Sequence, residues 1–60
     1  MSIIESLTQE MRDLYQVNCR LKKELATLPA ADTILHCEQI RQNRSRIHLI
    51  EHVLSHIMSN

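Results

Sequence analysis

The chain is 60 residues long with formal net charge +0, seven basic side chains balancing seven acidic ones. A chain this short builds at most one small domain and has little material for a walled catalytic pocket, so an enzyme is not expected. With Gly 0, Pro 1, Phe 0, Trp 0 and Tyr 1, the residues that make β turns and aromatic-rich strands are missing, and the expectation is an all-α chain. The balanced charge also removes the bulk attraction that non-specific nucleic-acid binders and membrane-surface helices rely on.

Helix 1 is expected over about residues 3–27. Ser2-Ile3-Ile4-Glu5 is an S-x-x-E capping box, and Arg20, Lys22 and Lys23 place cations toward the end where the helix dipole favours them. Along it Ile4, Leu7, Met11, Leu14, Asn18, Leu21, Leu25 and Leu28 alternate steps of three and four, the a/d seam of a coiled coil interrupted only by Asn18. The lone proline punctuates the chain at Leu28-Pro29-Ala30-Ala31-Asp32, so a turn is expected over 28–32.

Helix 2 is expected over about 32–58, with the seam His36, Ile40, Asn43, Ile47, Ile50, Leu54 and Ile57. In an antiparallel hairpin, residues that face each other have numbers with a constant sum. Here that sum is 61: Ile4 meets Ile57, Leu7 Leu54, Met11 Ile50, Leu14 Ile47, Asn18 Asn43, Leu21 Ile40 and Leu25 His36. The implied turn centre falls between Ala30 and Ala31, just past Pro29, so periodicity and turn chemistry agree independently. Asn18 and Asn43 are expected to hydrogen-bond within one layer and to set register, because a slipped hairpin would bury each amide against aliphatic carbon.

One seam buries little for a chain of this size. Leu35, Leu49 and Val53 lie beside the seam of helix 2 and widen its apolar arc to about 180°, more than one partner helix covers. Ile3 and Val17 flank helix 1 on the same side. Ile3, Val17, Leu35, Leu49 and Val53 are therefore the candidate partner-binding face, and a four-helix bundle formed by dimerisation or by docking on a helical partner is the expected assembly. Residues 16–45 hold five basic and three acidic side chains and the remainder two and four, a difference of +2 against −2 that suits two hairpins stacked with opposite polarity.

Other constellations are weaker. Arg20, Lys22, Lys23, Arg41, Arg44 and Arg46 form a candidate basic belt for nucleic acid, read mainly as a solvated face because aromatic stacking residues are missing. Glu38 is placed to pair with Arg41 or Gln42. His48, His52 and His56 recur every four residues on one ridge, without a carboxylate or thiol at a suitable position beside them, so no metal or other cofactor is expected. Cys19 and Cys37 are offset along the hairpin by about 7 Å and are read as free thiols. No apolar run reaches the roughly 18 residues of a membrane span and the first residues lack the basic start of a secretory signal, so a soluble, cytoplasmic protein without a membrane or small-molecule partner is expected.

Two heptad-patterned helices joined by a brief turn resemble, in architecture alone, the plasmid copy-number regulators that dimerise into a four-helix bundle and bind paired RNA loops. The stretch Leu28-Pro29-Ala30-Ala31 and the run Ile47-His48-Leu49-Ile50-Glu51-His52-Val53-Leu54-Ser55-His56-Ile57 are similar to the turn and apolar second helix of the small co-chaperones of type III secretion needle subunits. The apolar face makes a non-catalytic interaction protein, acting as adaptor, inhibitor or co-chaperone, the leading expectation, with a dimeric RNA- or DNA-binding regulator using the basic belt as the alternative.

Overall fold

The computed structural model describes residues 2–59. Two α-helices, α1 (Ile3–Leu25) and α2 (Ala30–Met58), make up the described chain, with no strand among these residues. The side chain of Ser2 caps α1 by accepting the Glu5 amide at 3.1 Å.

Both boundaries at the turn lie two residues earlier than the spacing predicts, and the chemistry of the connection accounts for this. At the end of α1 the amides of Ala26 and Thr27 bond to Lys23 and Glu24, a tightened last turn that ends the helix at Leu25. Pro29 then stands at the N-cap with φ −61° and ψ 155°. Its carbonyl accepts the Asp32 amide at 3.0 Å, the Thr33 amide at 3.1 Å and the Thr33 hydroxyl at 3.1 Å. The proline is thus outside the helix and its carbonyl inside it, so α2 begins at Ala30. No described residue has positive φ, so the turn is made without strain in a chain that has no glycine.

The helices pack antiparallel in a body 47 × 17 × 12 Å. The core is Leu21, Ile40, Ile47, Ile50 and Leu54, with Asn18 and Asn43 buried among them. All seven are seam positions, which is what a 3.5-residue apolar repeat on both helices dictates. Burial is asymmetric: of the two helices, α2 supplies most of the fully buried side chains, while Leu7, Met11, Leu14 and Leu25 of α1 are half-buried. Ile50, at 1% exposure, is the best-shielded side chain.

Candidate functional site: two flanks of one seam

At mid-length the two asparagines face each other. Asn43 donates from Nδ2 to Asn18 Oδ1 at 2.8 Å, and Asn18 donates in turn to the Ile40 carbonyl at 3.4 Å. Gln39, one turn before Asn43, donates to Asn43 Oδ1 at 3.1 Å. No buried side-chain nitrogen or oxygen among the described residues is left without a partner. Spacing alone anticipates the amide pair but not Gln39, whose place four residues before Asn43 is the signal that finds it.

Three cross-helix polar contacts flank the seam. Arg46 donates from Nε to Glu10 at 2.6 Å and from Nη2 at 3.2 Å, a two-pronged pair. Tyr15 donates its hydroxyl to Glu51 at 2.8 Å, and His36 Nε2 lies 2.8 Å from Glu24 at the turn end. The arginine fork holds the Glu10 carboxyl below the usual carboxylate range and itself titrates higher than an isolated arginine. The bond to Glu51 raises the Tyr15 hydroxyl above its ordinary value, because ionising it would set two anions together. On the outer face of α2, Glu38 accepts from both Arg41, at 2.8 Å, and Gln42, at 3.4 Å, and Arg41 lowers its carboxyl.

One flank of the seam carries the apolar candidates. Val17 and Val53 are half-buried, whereas Ile3, Leu35 and Leu49 are 63%, 69% and 52% exposed. The Glu10–Arg46 pair crosses the hairpin within this flank, so the face is apolar with one ion pair set in it. Ile34, at 72% exposure, is a further bare apolar side chain near the turn, but standing two heptads before His48 it lies toward the opposite flank.

The other flank holds a cleft of about 220 Å³. Asn18 and Ile47 floor it, and Tyr15, Cys19, Lys22, Arg44 and His48 line its walls. The basic residues are therefore not gathered in one belt. Lys22 and Arg44 share this cleft, Arg46 turns to the opposite flank with Glu10, Arg41 pairs with Glu38, and Arg20 lies 3.9 Å from Glu24. Lys23 is exposed.

The histidine ridge is exposed along its length, and Glu51 lies 3.9 Å from His48 Nδ1. The i,i+3 spacing of the two residues brings them to one side of α2. No group of three or more histidine, cysteine or acidic side chains able to hold a metal ion occurs among the described residues. Cys19 and Cys37 are free and exposed. No helix is long and apolar enough to cross a membrane among the described residues. No known protein family, curated protein or solved structure matches the chain.

Proposed function

We propose that the chain is a non-catalytic interaction module, an adaptor, inhibitor or co-chaperone, and that its apolar flank associates with a second copy to complete a four-helix bundle. The observation that carries this reading is the exposure of Ile3, Leu35 and Leu49 along one side of a hairpin whose apolar core is only five side chains deep. The accessible surface is 4694 Å². A compact monomer of this mass exposes about 4,000 Å², so the hairpin carries an excess similar in size to the roughly 800 Å² that each partner loses in a standard interface.

The second copy is favoured as occupant by charge. The half of the hairpin nearest the turn is net +2 and the half nearest the termini net −2, counting five basic and three acidic residues in 16–45 and two and four outside it. Stacking with opposite polarity sets each half against its complement, a source of alignment more than of affinity. The exposed apolar side chains supply the affinity.

Nucleic-acid binding by a basic belt is the weaker reading. Three of its six members, Arg20, Arg41 and Arg46, are within ion-pair distance of Glu24, Glu38 and Glu10, which places carboxylates where phosphates would approach.

Sedimentation equilibrium of the wild-type chain and of Leu35→Glu/Leu49→Glu tests the proposal. Both side chains are outside the hairpin core, so the variant keeps its helices by circular dichroism. The wild type is expected as a dimer at micromolar concentration and the variant as a monomer. A wild type that stays monomeric up to about 100 µM, an association weaker than about −5.5 kcal/mol, removes the self-association.

A further inference from the structure

Lys22 and Arg44 oppose each other across the cleft flank. Their numbers have the same sum, 66, as those of Tyr15 and Glu51, a pair in contact at 2.8 Å, and both line the cleft. Two cations set level on facing helices repel, and such pairs lower stability. Elsewhere along the flanks the hairpin avoids this arrangement: Glu10 is given Arg46, Glu51 is given Tyr15 and Glu24 is given His36.

Neither cation is relieved by its own helix. The positions three and four residues from Lys22 are Asn18, Cys19, Leu25 and Ala26, and those around Arg44 are Ile40, Arg41, Ile47 and His48, with no carboxylate in either set. Neither residue takes part in an ion pair among the described residues. The acid nearest along the flank, Glu51, accepts the Tyr15 hydroxyl and lies 3.9 Å from His48.

We propose that this cleft is an oxyanion site that takes a phosphate group, free or as the monoester of a small molecule, between Lys22 and Arg44. A dianion neutralises both cations at once, which a carboxylate or a phosphodiester, each of one charge, does not. Arg44 contributes a planar fork suited to two phosphate oxygens and Lys22 a mobile point charge. His48 adds a ring N–H at the rim, and the buried Asn18 and Ile47 close the floor. The site is on the opposite side of the seam from the apolar flank and stands or falls apart from self-association. Binding cross-links the two helices electrostatically, so the ligand stabilises the folded hairpin.

The experiment titrates inorganic phosphate against the full chain at fixed pH and fixed ionic strength, with chloride and acetate as controls. Backbone amide shifts and the melting temperature are the readouts. Saturable shifts centred on residues 19, 22, 44 and 48, with a rise in melting temperature that acetate does not reproduce, are expected. Lys22→Gln and Arg44→Gln should each weaken binding by about tenfold, the loss typical of one charged hydrogen bond. Each variant should also melt higher than the wild type without phosphate, because the repulsion is gone. Shifts that follow ionic strength alone, or that persist undiminished in both variants, overturn the proposal. Tighter binding of a single-stranded oligonucleotide without terminal phosphates than of inorganic phosphate also overturns it, in favour of a backbone-tracking nucleic-acid groove.

Discussion

Asn18 and Asn43 hold opposite ends of one hydrogen bond in an otherwise aliphatic core, and their energetics are those of a pair rather than of two residues. Asn18→Leu leaves the Asn43 amide buried without its acceptor and is expected to cost about 1–3 kcal/mol in urea unfolding. Replacing both by leucine should recover most or all of that loss, since a well-packed apolar pair often matches a buried polar one. If the single and double variants are equally destabilised, the bond is incidental to the layer. Glu10 supplies a second test at this scale. Its carboxyl titrates below the ordinary 4.5 because Arg46 donates to it, so its contribution to stability is complete above that value and is lost as pH falls through the lower folded-state value. Glu10→Gln should therefore flatten the decline in melting temperature below pH 4.5. An unchanged acid limb would assign that decline to the other carboxylates.

At the scale of the elements, Pro29 decides where α2 starts. With φ preset near the value that the N-cap adopts, it limits the unfolded chain without distorting the folded one. Pro29→Ala is expected to lower stability by about 0.4–1 kcal/mol in thermal unfolding; a gain would mean that the proline is strained in the turn. The seam of both helices is legible in the sequence because a 3.5-residue repeat and an antiparallel fold leave one solution for the layers, with Asn18 against Asn43 as its marker. The flanking pairs obey a rule just as simple. Glu10 and Arg46 sum to 56, Tyr15 and Glu51 to 66, five either side of the seam's 61, yet a reading confined to seam positions does not reach them. Ends are less legible than faces. Whether α1 stops at Leu25 or Thr27 depends on hydrogen bonds at Ala26 and Thr27 that no side-chain pattern encodes.

For the whole molecule, a single seam between two helices leaves two flanks of opposite character. One bears Ile3, Leu35 and Leu49 bare of cover, and the other bears Lys22 and Arg44, neither in an ion pair among the described residues. The apolar flank could be picked out from the widened arc of α2, since apolar residues beside a full seam have nothing within the chain to pack on. The cleft could not, because it exists only where side chains from both helices meet across Asn18 and Ile47. The basic residues look like one group in the sequence, but helical phase distributes them around the molecule, with Arg46 and Arg44 on opposite sides of the same seam. Tyr15 is the sole aromatic residue of the chain, and its phenol hydrogen-bonds to a carboxylate on the other helix. A carboxylate acceptor damps tyrosine emission, so parting of the helices brightens a fluorophore already built into the hairpin, and opening can be timed optically without any label.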